Sequence, residues 1–90
     1  MRIIIIFYSC LVMACASSFA QKAKPIPVIF DSDMGPDYDD VGAITLLHAF
    51  ADSGYVKILA TIASTKYEGV AAVFNVLNTY FKRPDILIGV

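Results

Sequence analysis

Apolar positions along this 90-residue chain form one long N-terminal run and then a repeating alternation of short strand-like and longer helix-like patterns. Ile3 to Ala14 is almost wholly apolar. After a polar entry segment, Gln21 to Pro25, comes a short run, Ile26 to Phe30. Its Val28-Ile29-Phe30 core offers no polar side, the pattern of a strand buried on both faces, and Pro27 restricts it to the start or edge of a sheet. From Asp39 to Ala51 the apolar spacing changes to three and four, with Val41, Ile44, Leu47, His48 and Ala51 on one stripe. Asp37 or Asp39 is placed to cap this first helix and Ser53-Gly54 to stop it. Val56 to Ala63 predicts a second strand. Glu68 to Phe81 predicts a second helix, with Val70, Val73, Phe74, Leu77 and Phe81 buried and Lys82-Arg83-Pro84 ending it. Phe74, Tyr80 and Phe81 read as core or near-core residues, Asn75 and Asn78 as helix-surface or packing residues. Ile86 to Val90 predicts a third strand.

The order β-α-β-α-β with short apolar strands predicts an α/β fold, a Rossmann-like parallel sheet with right-handed crossovers. Ligands of such sheets bind outside the C-terminal ends of the strands, where the loops after the first two strands both lie. Three strands and two helices leave open apolar edges, and a domain of about 70 residues buries little. The expectation is therefore an incomplete sheet, the N-terminal portion of a longer domain.

Composition changes the picture at the N-terminus. Apolar residues make up 58% of the chain, and much of the excess sits in the first run. Met1-Arg2, the apolar stretch and the small residues up to Ala20 form a secretory signal pattern, with Ser18-Phe19-Ala20 as its cleavage box. A core of about a dozen residues falls short of the roughly 20 that a spanning helix needs, so no transmembrane span is expected. Residues 1–20 then form a signal peptide and 21–90 the mature portion, exported to the periplasm or secreted. Val12-Met13-Ala14-Cys15 also resembles a lipoprotein box, which would anchor the chain through a lipidated Cys15. The two cysteines, Cys10 and Cys15, both lie in the leader, leaving none after Ala20 for a disulfide. Removing Arg2 takes the net charge from −1 to −2, no footprint for a nucleic-acid polymer.

Five of the eight acidic residues fall within ten positions, Asp31-Ser32-Asp33-Met34-Gly35-Pro36-Asp37-Tyr38-Asp39-Asp40. Carboxylates packed this closely repel each other, and folding them together is costly without a neutralising charge. A hard divalent cation with oxygen ligands is the simplest candidate. An EF-hand loop starting at Asp37 would put His48 where a bidentate Glu is required. Asp31-x-Asp33 also resembles the nucleophile and acid pair of haloacid dehalogenase-type phosphohydrolases. Gly35 stands where that family wants Thr or Val, and the family gives no reason for Asp37, Asp39 and Asp40.

The fuller stretch, Asp31-x-Asp33-Met34-Gly35-x-Asp37-x-Asp39-Asp40 followed by Gly42-Ala43-Ile44, resembles the signature of the inosine-uridine preferring nucleoside hydrolase family. The common form there is D-x-D-P-G-x-D-D-A. Here Met34 replaces the proline, and two further residues precede the Asp39-Asp40 pair. This longer motif is similar to that of exported bacterial members. Ala60-Thr61-Ile62, Asn78-Thr79-Tyr80-Phe81 and Arg83-Pro84-Asp85-Ile86 extend the likeness, which spans about Pro25 to Val90. The resemblance implies an α/β domain that binds one Ca²⁺ at the C-terminal strand edge and hydrolyses the N-glycosidic bond of ribonucleosides to ribose and base, a purine and pyrimidine salvage chemistry. Carried over by position, Asp33 would be a Ca²⁺ ligand and the general base toward the attacking water. Asp40 would be a second Ca²⁺ ligand, Asp39 would accept hydrogen bonds from ribose hydroxyls, and Asp31 would support the loop. Asp37 could share the part of Asp39. The loop after the second strand is Ser64-Thr65-Lys66-Tyr67 where common members carry an Asn, and Lys66 could stabilise an anion or pair with the acids. The resemblance also requires a distal Asp, a carbonyl ligand and a His beyond Val90, so this stretch alone is expected to be inactive.

Plainer readings stand beside these. Asp31 equally suits a structural turn, Asp37 a cap or solvated acid, Lys66 a solvated loop residue and His48 a core histidine. The expected partner is a nucleoside or ribosyl substrate, with a homo-oligomer of the full-length protein left open. The alternative function is a non-catalytic relative that binds Ca²⁺ and a sugar.

Overall fold

The computed structural model describes residues 1–16 and 23–90. The expected cleavage box at Ser18 to Ala20 lies outside the described residues, as does the Cys15 side chain. The apolar N-terminal run forms a helix, α1 (Arg2–Ala16), whose side chains from Ile3 to Leu11 are exposed. Among the described residues no helix is long and apolar enough to cross a membrane.

Beyond α1 the chain alternates β1 (Ile26–Ser32), α2 (Asp39–Asp52), β2 (Val56–Ala63), α3 (Gly69–Tyr80) and β3 (Leu87–Gly89). This is the α/β order read from the hydrophobic pattern, with helix and strand limits displaced by only a few residues. The strands form one parallel sheet in the order β1-β2-β3. Both helices lie on the same face of that sheet. Ile44 of α2 and Val70 and Phe74 of α3 form a single buried cluster, against which Phe30 of β1, Ala63 of β2 and Ile88 of β3 pack. Phe30 and Phe74 meet edge to face with ring centroids 6.1 Å apart. Burying each of these large side chains is worth roughly 1.5–3 kcal/mol, which makes this seam the main source of stability.

The opposite face of the sheet is uncovered. Ile29, Leu59 and Leu87 are exposed there. This corrects the reading of β1 as buried on both sides: Val28, Phe30 and Ser32 turn toward the helices, whereas Ile29 and Asp31 alternate away from them. Pro27 sits near the start of an edge strand, where its missing N–H is tolerated.

A register shift between β1 and β2 decides which residues of β2 face the helices. Val28 pairs with Ile58, but Ile29 pairs with Ala60, so Leu59 is an extra residue. Such a bulge inverts the in–out alternation beyond it. Ile58 is buried before the bulge and Thr61 after it, three positions on instead of two or four.

Both helices end in the same hydrogen-bond pattern. At the end of α2, Gly54 at φ 78° donates its N–H to the Ala51 carbonyl and Tyr55 donates to Phe50. At the end of α3, Lys82 at φ 62° donates to Thr79 and Arg83 donates to Asn78 at 2.7 Å. These paired bonds are Schellman closures, and they confirm the stops read at Ser53-Gly54 and Lys82-Arg83-Pro84. Two smaller readings are corrected. Val73 and Tyr80 point to solvent, because α3 meets the sheet along the narrower stripe of Val70, Phe74, Leu77 and Asn78. The third strand is shorter than expected, Leu87–Gly89.

Candidate functional site

The acidic stretch lies where parallel-sheet ligands bind, at the C-terminal end of β1 and the start of α2. Its shape is set by short-range bonds. The backbone N–H of Met34 donates to the Ser32 hydroxyl at 2.9 Å, and the N–H of Gly35 donates to Asp33 Oδ1 at 3.0 Å. Two successive side-chain turns therefore fold the chain back on itself just past the strand. Met34 between them adopts φ 46°, a left-handed conformation that costs a residue with a Cβ about 1 kcal/mol. Its side chain packs against the Ile44–Val70–Phe74 cluster, which offsets that cost. A proline, fixed near φ −65°, cannot take this conformation.

The turn brings two of the acids together. A methyl group at Gly35 would lie 3.3 Å from Asp33 Oδ1 and 3.4 Å from Asp37 Oδ1, so both carboxylates flank the same bare Cα. A side chain there would crowd Asp33 Oδ1 by a few tenths of an ångström and meet Asp37 Oδ1 at ordinary contact distance. Asp39 and Asp40 open α2, where negative charge suits the positive end of the helix dipole. Asp39 Oδ1 accepts the neighbouring N–H of Asp40 at 3.0 Å. Neither Asp37 nor Asp39 occupies the cap position: Tyr38 does, and it makes no side-chain cap hydrogen bond. Asp31 is not part of the turn at all. It lies inside β1, paired with Ile62, on the face away from the helices. Ser32, buried and overlooked in the sequence, holds the loop instead.

The donor chemistry of Asp33, Asp37, Asp39 and Asp40 suits a hard cation, being oxygen only. Their arrangement is open. Among the described residues no group of three or more His, Cys, Asp or Glu side chains converges closely enough to enclose a metal ion. The site fits such an ion by donor type and by position, as one wall and not a closed cage.

The loop after β2 is tied to this rim by a backbone bond from the Ser64 N–H to the Ser32 carbonyl at 3.1 Å. Lys66 is exposed and makes no ion pair with the acids; among the described residues the ion pair joins Arg83 and Asp52. Lys66 instead lines a cavity of about 230 Å³ with Ala63, Tyr67, Glu68 and Val90.

A second polar cluster lies beneath the rim, inside the fold. His48, Asn78 and Thr61 are fully or almost fully buried. His48 Nε2 and Asn78 Oδ1 are 3.1 Å apart, and Asn78 Nδ2 donates to Thr61 Oγ1 at 3.2 Å. His48 is the core histidine that its place on the apolar stripe predicts. Asn78, read as a helix-surface or packing residue, reaches further than that, since it joins α2 to β2 through two buried bonds. Its only sequence signal is a polar residue in phase with Val70 and Phe74. No protein-family model, curated protein or solved structure matches this chain.

Proposed function

We propose that the acidic rim serves metal-assisted hydrolysis of an N-glycosidic bond in a ribonucleoside, with Ca²⁺ as the cofactor. The observation that carries this reading is the convergence of Asp33 and Asp37 on Gly35 at the C-terminal edge of a parallel sheet, immediately before the Asp39-Asp40 pair. The resemblance of that stretch to the nucleoside hydrolase signature supplies the reaction class. Asp33 and Asp40 would hold the cation, which when bound supplies positive charge that favours ionisation of water and engages sugar hydroxyls. Asp33 accepts the proton of the attacking water, a carboxylate acting as general base. Asp39, with Asp37 beside it, accepts hydrogen bonds from the ribose hydroxyls. The ring of negative charge favours a sugar that becomes oxocarbenium-like as the base departs. Ser32, and not Asp31, supports this arrangement from the end of β1. Lys66 and its cavity stand at the neighbouring loop, where a departing base or an anion would be met.

The test is ribose release from inosine and uridine by the full-length protein, with and without chelation of Ca²⁺. Release that stops on chelation and falls by at least about 100-fold in Asp33→Asn supports the reading; the scale is that of losing a general base. Release unaffected by chelation removes the cation from it. Calcium and ribose binding without any release would favour the non-catalytic sugar-binding alternative.

A further inference from the structure

We infer that His48 is a pH-sensitive latch: its neutral imidazole ties α2 to α3, to β2 and to the turn after α3, and its protonation releases that turn. The inference is independent of the acidic rim, which makes no bond to this cluster.

The geometry fixes which form of the ring closes the latch. Asn78 uses its amide nitrogen to donate to Thr61, so its Oδ1 faces His48 and must accept. Nε2 of His48 therefore carries the proton. Nδ1 lies 3.4 Å from Arg83 Nη1, a group that can only donate, so Nδ1 must accept. One neutral tautomer satisfies both sides, and every buried polar side-chain atom among the described residues then has a partner. Phe81 stacks on the ring at 4.6 Å between centroids, closing it from solvent.

A second proton on Nδ1 has nowhere to go. It would oppose the Arg83 guanidinium, which is already held by Asp52 at 2.6 Å and by the Phe81 carbonyl at 3.3 Å. The charged groups acting on the ring are Arg83, from the turn after α3, and Asp52, from the end of α2 itself; α3, the turn after it and β2 also present the uncharged Asn78, Phe81 and Thr61. Burial, the largest effect, holds the imidazole below its usual 6.5; the Asn78 hydrogen bond works upward against it, and the lesser charge effects of Arg83 and Asp52 lower and raise it in turn. The closed form therefore binds the proton less well than an opened form. The latch is fully closed above about pH 6.5 and loses hold as the pH falls through that value, by up to about tenfold in the opening equilibrium per pH unit. The loss levels off once the closed form also protonates.

Opening would be read at the amides that close α3. The Arg83 N–H is bonded to Asn78 and the Lys82 N–H to Thr79, so both report on the turn that carries the guanidinium. The experiment follows the His48 ring resonances and the exchange of these two amides in the full chain from pH 7.5 to 5.5, corrected for intrinsic exchange rates. The expected result is a His48 midpoint below 6.5 and an opening constant for the two amides that rises up to about tenfold between pH 6.5 and 5.5. His48→Gln keeps a donor for Asn78 and an acceptor for Arg83 but cannot titrate, so its amide protection should be flat over the same range. A His48 midpoint at or above 6.5, or protection that stays constant while the ring gains its proton, overturns the latch. So does an equal acid loss in His48→Gln. If that variant does not fold, the wild-type midpoint and amide protection decide the matter between them.

Discussion

The two polar regions of this chain are built in opposite ways. At the rim, Ser32, Asp33 and Asp39 bond to backbone amides one or two residues away, and the four acids from Asp33 to Asp40 remain open to water or nearly so. In the interior, His48, Asn78, Thr61 and Arg83 bond to one another across 17 to 35 residues of sequence. The first arrangement gathers charge without consuming it: the carboxylates are shaped by their own turn and keep oxygens free for a ligand. The second leaves nothing free, since each polar atom is spent on another. A difference of this kind separates charge left open to solvent from a network that holds a fold.

Substitutions should sharpen the contrast. The largest effect is expected in the interior. Asn78→Ala removes two buried hydrogen bonds and strands the His48 N–H, and should cost about 2–4 kcal/mol in urea unfolding of the full chain. A cost under about 1 kcal/mol would mean that the network is incidental to stability. Next comes the turn at the rim. Met34→Pro demands a φ the loop does not have and should cost about 1–3 kcal/mol, whereas Met34→Gly relieves strain but loses packing and should stay within about 1 kcal/mol of the parent. Equal effects of the two would show that the left-handed turn does not constrain the loop. Asp52→Asn weakens a single, largely exposed ion pair and should cost no more than about 1 kcal/mol. The smallest effect is expected for Asp39→Asn. Without a cation it should change unfolding by less than about 0.5 kcal/mol, because no long-range bond depends on it. A larger loss would move Asp39 from the open group into the structural one.

The same contrast explains what the sequence revealed. Helices and strands were legible because each carries its own period and its own stop: Ser53-Gly54 and Lys82-Arg83-Pro84 end helices through bonds made within six residues. The rim was legible for the same reason, as its turn is closed by neighbours in sequence. Ser32 escaped notice because a serine between two aspartates gives no sign that it, and not Asp31, will bond the loop. The bulge at Leu59 escaped as well. Counting by twos along Val56 to Ala63 puts Ala60 and Ile62 under the helices, and only the extra residue brings Thr61 there. Without that shift the Thr61 hydroxyl would not reach Asn78, and the buried network would lose its anchor in the sheet. Long-range polar partners of this sort depend on register, which local periodicity does not encode. The exposed outer face of the sheet was misjudged for a related reason, because an apolar strand reads alike whether one of its faces is covered or both.

The central claim is that the carboxylates of the β1–α2 loop serve a divalent cation. Calorimetric titration of the full chain with Ca²⁺ tests it most directly, with Asp33→Asn and Asp40→Asn beside the parent. The account predicts saturable binding at one site in the parent and a loss of at least about tenfold in affinity, 1.4 kcal/mol, in each variant. No saturable binding by the parent, or equal affinity in all three proteins, would contradict it.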